Sequence, residues 1–371
     1  MSKSLFFVGT SNRGLGYVAR ASGKGIAAFW LDEDTGATEP AGLTEGIDNP
    51  SFLAVSPDGR TLCASSEMVG WNEGLVTAYA IDPASGALTY LSRQATRGDT
   101  TAHLDFDHSG RFAAIANYSM LPMSARPNQA IAVFPIAEDG EIGPAIAEAA
   151  HAGRGPDAAR QERPHPHCVR WTPDNRFLIV SDLGIDRLVI YRFDARTGAI
   201  ARHGEAVLPP GSGPRHFAFH PEKPMVYGVN ELSASVASFS FDAEAGSLTL
   251  LAVEATEPES ARGYSSCSAI RIAPGGARLY VGNRDVGNRG HDSIGQFTID
   301  PQTGIASFAG ILPCGGRVPR DMAFSPSGKV LAVANQESDQ IAFFRFERTS
   351  GALVPLATLA TGTPTAIGFV P

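Results

Sequence analysis

What this sequence has little of narrows its roles before any motif is considered. Cysteine occurs four times in 371 residues, at Cys63, Cys168, Cys267 and Cys314, and never with Cys-x-x-Cys spacing. That scatter signals neither a zinc knuckle nor a dithiol redox pair, and buried thiols are expected. No apolar run approaches the length of a membrane-spanning helix. Behind Met1-Ser2-Lys3-Ser4 stands only a short Leu-Phe-Phe-Val run, without the longer apolar region and small-residue cleavage site of a secretory signal, so a cytoplasmic location is expected. Positive charge is in deficit: 30 Lys and Arg face 38 Asp and Glu, and a net charge of -8 argues against a nucleic-acid partner. A GxSxG elbow, a phosphate-binding P-loop, an HExxH helix and a dinucleotide fingerprint are all missing.

Turn formers are abundant instead, with 40 Gly and 26 Pro set between short apolar runs. Residues 164–200 display the unit. Val169-Arg170-Trp171, Phe177-Leu178-Ile179-Val180 and Leu188-Val189-Ile190-Tyr191 are β-branched and aromatic runs too short for helices, separated by Thr172-Pro173-Asp174-Asn175 and closed by Arg196-Thr197-Gly198. The closing Gly turn recurs at Gly36, Gly86, Gly140, Gly198, Gly246, Gly304 and Gly351, seven copies spaced by 47 to 58 residues. The hairpin turn between the first two strands is complete six times, as in Ser56-Pro57-Asp58-Gly59 and Ser325-Pro326-Ser327-Gly328. The seventh unit is split: residues 365–371 match a first strand, and Leu5-Phe6-Phe7-Val8-Gly9 supplies the second.

Radially repeated four-stranded sheets form a β-propeller, and a split unit closes it. The expectation is an all-β, seven-bladed propeller, four antiparallel strands per blade, spanning 1–371 as one domain, its ring closed by the C-terminal strand joining the N-terminal blade. Such a ring satisfies its own strand edges, and a monomer is expected. Residues 120–127 and 151–163 exceed the repeat length and are expected as loops on the binding face.

In an antiparallel blade the first strand begins where the second ends, so both positions surround one mouth of the central channel. Six residues before the hairpin-turn Pro stand Ser51, His167, Arg215, Ser268 and Arg320, with Thr365 and Ala102 by alignment. The second-strand exits read Glu67, Tyr118, Asp182, Glu231, Arg284, Gln336 and Ser11, and His103 neighbours Ala102. His, Glu and several Arg at one mouth suit a small anionic organic molecule: guanidinium binds carboxylate or phosphate in two places, and His and Glu move protons near neutral pH. Arg competes with a divalent ion, so neither a metal nor another cofactor is expected.

At these residues the chain resembles the seven-bladed lactonase family, which contains cycloisomerase-type 6-phosphogluconolactonases and 3-carboxy-cis,cis-muconate lactonizing enzymes. The resemblance is carried by Asn49-Pro50-Ser51-Phe52-Leu53, Arg160-Gln161-Glu162 followed by Pro164-His165-Pro166-His167, Gly213-Pro214-Arg215-His216, Val229-Asn230-Glu231-Leu232, Asn288-Arg289-Gly290-His291-Asp292 and Pro319-Arg320-Asp321 with Ala334-Asn335-Gln336. It implies catalytic roles for His167, Arg215 and Glu231 and for a second Arg, which alignment from the preceding strand sets at Arg284 and the Asn-Arg-Gly-His block at Arg289. Arg289, Arg320, His103 and Gln336 are expected to bind substrate. The departure Met120-Leu121-Pro122-Met123 lengthens one loop and would alter substrate size. The implied activity is a carboxylic ester hydrolase opening a sugar or carboxylated lactone, with water activated by Glu231 or His167. The alternatives are cycloisomerisation of an unsaturated dicarboxylate and a non-catalytic scaffold.

Overall fold

Short apolar runs that can pair on both sides and be covered on both faces become the inner strands of blades. The computed structural model describes every residue except 1–2, 17, 19, 123, 126, 262, 264 and 286, and Met123 of the lengthened loop therefore lies outside the described residues. It contains seven four-stranded sheets arranged as blades around a channel. Blade 1 unites Pro364–Phe369 with Lys3–Thr10, Ile26–Asp32 and Thr38–Thr44. The inner strands of blades 2 to 7 are Leu53–Val55, Thr101–Phe106, Pro166–Trp171, Pro214–Phe219, Ser266–Ile272 and Pro319–Phe324. The ring closes as expected, with Phe6 opposite Phe369 and Val8 opposite Ile367 in an antiparallel ladder.

Burial explains the sequence pattern within a blade. Second strands such as Phe177–Asp182 and Val330–Asn335 are buried at every residue, because blades press on both faces, and they read as continuous apolar runs. An outer strand such as Ala306–Pro313 alternates between covered and exposed residues. Seven hydrophobic clusters result, one in each gap between adjacent blades. Between blades 3 and 4, Val169 and Trp171 pack on Ala114 and Ala116; between blades 4 and 5, Phe177 and Ile179 meet Phe217 and Phe239.

All seven Gly turns adopt positive φ. At Gly246 (φ 63°) two demands coincide, since a Cβ would also stand 2.1 Å from the Phe177 ring of the preceding blade. The turn is thus both a chain reversal and a blade contact.

The feature that makes the site is a register shift at the start of the inner strands. Pro166 pairs with Asp182 while Cys168 pairs with Ser181, which leaves His167 out of the ladder. The same shift leaves out Arg215, Ala102, Arg320 and Thr365 in their blades. A bulge re-aims the residue it extrudes. These are the positions counted back from the hairpin proline, and they ring one mouth of the channel.

Candidate active site

A buried polar residue at the end of each second strand anchors the chain before it turns into the mouth. Asn117, Asn230, Asn283 and Asn335 occupy this place; Asn283 Nδ2, for example, donates to the Thr256 carbonyl (3.1 Å) and Asn335 Nδ2 to the Cys314 carbonyl (3.0 Å). The next residue is then free to face the channel: Tyr118, Glu231, Arg284 and Gln336. In blade 4 the anchor is Asp182, which accepts from the backbone N–H groups of His165 (2.7 Å) and Gly184 (3.0 Å) and from His151 Nδ1 (2.6 Å). Asp182 is therefore structural, one residue short of the mouth, and Leu183 takes the equivalent exit.

The mouth opens into a cavity of about 670 Å³ lined by His167, Glu231, Arg284, Arg160, Tyr118 and Arg320 among others. Glu231 is its hub. Its Oε1 accepts from Arg160 Nη2 (2.5 Å), its Oε2 accepts from Arg284 Nη2 (2.9 Å), and Arg215 Nε lies 3.0 Å from the same Oε2. The Arg215 contact is one of charge rather than an aligned hydrogen bond, since that N–H has no partner in line with it. Arg160 Nη2 also donates to the Tyr118 hydroxyl (3.2 Å), while Arg284 is tied to the Ser266 and Cys267 carbonyls. Across the mouth Arg320 stands 3.7 Å from Glu67.

His167 is 7 % exposed, and its buried Nδ1 has no hydrogen-bond partner among the described residues. Its ring meets Tyr118 edge-on at 5.5 Å and His216 at 5.4 Å. Burial, and next the charge of Arg215, hold its imidazole well below the ordinary titration range, so it is neutral at pH 7. Glu231 behaves oppositely. Burial alone would raise its pKa, but Arg284, Arg160 and Arg215 together drive it well below the carboxylate range. A carboxylate committed to three guanidiniums is a poor proton acceptor; the imidazole, neutral at pH 7, is available to accept a proton, and its depressed pKa makes it a weak base that returns the proton readily. Burial and the neighbouring charges of Arg284 and Arg320 work against the charge on Arg215.

The expected residues fall into three groups. His167, Glu231, Arg284, Arg320 and Gln336 line the cavity. Arg215, 2 % exposed, lies in the constriction beneath with Phe52 and His216, and contacts the cavity-lining Glu231. His103 and Arg289 are not among the residues that line this cavity. The bulge that extrudes Ala102 returns His103 to the ladder, where its ring lies 4.0 Å from Phe52 and its Nε2 3.4 Å from Cys168 Sγ. Arg289 is turned outward because the Asp285 carboxylate accepts its backbone N–H and its Nε (3.2 Å), leaving the side chain 44 % exposed. Arg160 was not among the expected site residues; the signal was its place in the overlong loop of residues 151–163. Arg317, on the rim, was missed as well. No group of three or more His, Cys, Asp or Glu side chains among the described residues is placed to hold a metal ion.

The sequence profile of the family described as "Lactonase, 7-bladed beta-propeller" matches residues 6–369. The chain belongs to this lactonase family. Within it, a 6-phosphogluconolactonase of Bacillus subtilis is 32% identical over 371 residues, covering 100% of this chain and 99% of that one. A 6-phosphogluconolactonase of Formosa agariphila is 32% identical and covers 92% and 93%. Among solved structures, the periplasmic gluconolactonase PpgL of Pseudomonas aeruginosa superposes with a TM-score of 0.88 at 30% identity, covering 100% of this chain and 99% of the other. No helix among the described residues is long and apolar enough to cross a membrane.

Proposed function

We propose that this lactonase-family chain is a carboxylic ester hydrolase that opens a sugar lactone, with a 6-phosphogluconolactone as the best-supported substrate. The observation that carries the mechanism is a neutral, buried His167 lining the same cavity as the Glu231–arginine cluster. His167 takes a proton from water as the water oxygen attacks the lactone carbonyl carbon. The carbonyl oxygen becomes an oxyanion beside Arg160 and Arg284, which Glu231 holds in place. Arg160 commits only Nη2 to its bonds with Glu231 and Tyr118, so its other N–H groups can face substrate. As the tetrahedral intermediate collapses, the ring C–O bond breaks and His167 returns the proton to the departing alkoxide. The product is an open-chain hydroxy acid, which ionises.

Arg317 supports the phosphorylated substrate. It is exposed on the rim, and no side-chain hydrogen bond or ion pair engages its guanidinium among the described residues. It enters from the loop before blade 7, whereas His167 and Glu231 enter from blades 4 and 5. A substrate with its ester at one pole and a phosphate at the other matches that polarity. The four cysteine thiols are free and buried, and a charged phosphate ester does not cross membranes, so we place the activity in the cytoplasm.

Proton release from 6-phosphogluconolactone, gluconolactone and 3-carboxymuconate, measured in parallel with a His167→Ala control, tests the reading. Acid release from a lactone that disappears in the variant is expected. Loss of muconate absorbance without lactone opening would replace the reading with cycloisomerisation, and no turnover of any of the three would overturn it. For Arg317→Met, KM for the phosphorylated lactone should rise roughly tenfold to a hundredfold, as loss of a charge-assisted contact implies, with gluconolactone kinetics unchanged. An equal effect on both lactones would remove Arg317 from phosphate recognition while leaving the hydrolase reading intact.

A further inference from the structure

The channel beneath the candidate site is built in rings, one residue from each inner strand, and its last ring is chemically uneven. Strand register makes seven positions equivalent there. Four hold Gly368, Ala54, Ala218 and Ala323, and three hold Asp105, Arg170 and Arg271. A cavity of about 540 Å³ lined by Asp105, Arg170, Ala218 and Arg271 opens on the opposite face of the propeller, bounded by Pro57, Pro173 and Pro221 of the hairpin turns and walled by Trp171 and Phe219. The ring above separates it from the candidate site: Phe52 lies against His103, and His216 meets both rings at 6.0 Å and 5.2 Å.

The two arginines differ in their commitments. Arg271 Nη2 donates to Asp321 Oδ1 (2.8 Å) and its Nη1 to the Ile270 carbonyl (2.8 Å), and the other Asp321 oxygen accepts the Ile367 N–H (3.0 Å). That pair is closed on itself. Arg170 forms no ion pair among the described residues, and its buried Nε has no hydrogen-bond partner. Burial raises the pKa of the neighbouring Asp105 carboxyl, while burial opposes the charge on Arg170 and the Asp105 and Cys168 side chains support it. Burial opposes the charge on Arg271 and the field of Arg170 adds to that opposition, so the two cations repel within one ring. Alanine at these positions, as in three of the blades, would carry no such cost. An anion between them relieves it, and a guanidinium presents its donors in the fork that carboxylate and phosphate accept.

We propose that this far mouth is a second, non-catalytic binding site for a small oxyanion, a phosphate or carboxylate group, held by Arg170 and Arg271. It requires nothing of the lactonase chemistry at the near mouth. Trp171 lies on the cavity wall and reports occupancy.

The test is calorimetric titration of the full-length protein with inorganic phosphate and, separately, acetate, alongside tryptophan fluorescence. Native protein is expected to bind at least one of the two with a change in emission. Arg170→Met should weaken that binding at least tenfold without altering the rate of lactone opening, and Arg317→Met should leave it in place. Arg170→Lys, which keeps the charge but loses the fork, should fall between and serves if the Met variant does not fold. The anion that binds identifies the ligand group. Binding unchanged in the Arg170 variants, abolished by Arg317→Met, or absent for both anions in native protein would overturn the proposal.

Discussion

His167 and Glu231 both feel the charge of Arg215 yet end in opposite states, one kept neutral and the other kept charged. Replacing His167 by Ala should lower kcat by about 10²–10⁴-fold with a smaller change in KM, as expected for loss of a general base. Because burial depresses its titration, kcat/KM for lactone opening should stay flat as pH falls from 8 to 6.5, where an exposed histidine base would already be losing activity. A decline centred on 6.5 would contradict that assignment. The same burial has a consequence for stability. His103, His167 and His216 are all held below the 6.5 of a free imidazole by burial first and arginine charge second. Below about pH 6.5 the unfolded chain therefore binds more protons than the native one, and stability falls as pH falls until the native values are reached. With all three taking part, the slope approaches about 4 kcal/mol per pH unit. The depressed carboxyl of Glu231 acts in the same direction lower down, its contribution being complete above about 4.5 and lost as pH drops through its native value. Urea unfolding at pH 6.5, 6.0 and 5.5, with His103→Gln expected to show a shallower slope, measures this.

At the scale of strands and turns, local chemistry was readable and long-range placement was not. The Gly turns and the residue six before each hairpin proline are fixed by turn geometry, and the bulge that extrudes His167 and Arg215 obeys a constant count from that turn. Asp182 was misjudged by one residue because Asp and Glu look alike as exits; only the backbone N–H groups of His165 and Gly184 show that Asp182 is the anchor. The choice between Arg284 and Arg289 rests on Asp285, whose backbone contacts fold the loop and turn Arg289 away. Arg160 arrives on a loop whose path depends on Gln161 reaching the Leu183 carbonyl and Asp186, 22 and 25 residues away, and no local periodicity encodes that. Gly246→Ala tests the double demand on the turns. A left-handed φ combined with the approach of Phe177 should cost about 2–5 kcal/mol, whereas Gly14→Ala, where a Cβ would meet nothing within 4 Å, should cost far less. Denaturant unfolding of the two variants gives the comparison.

At the scale of the whole molecule, the ring depends on its seam. The Phe6–Phe369 ladder and the cluster that joins Phe6, Val8 and Ile367 to Val330 and Phe343 bind the two chain ends into one sheet. Deleting residues 364–371 removes an inner strand and uncovers the faces of blades 2 and 7, and should abolish cooperative unfolding rather than merely lower the midpoint. Joining the termini by a short linker and opening the chain at an exposed outer turn, such as that after Arg348, should preserve it. The seam has one further consequence, in time. The residues that complete blade 1 are the last to be synthesised, and their partners are among the first. The amino-terminal strand must therefore wait, unpaired on its channel side, through translation of every other blade. It exposes Phe6, Phe7 and Val8 in that interval, so the nascent chain reaches its closed form only once Pro364–Phe369 has emerged, and any factor that shields an emerging apolar strand would act on this ring at its first strand rather than its last.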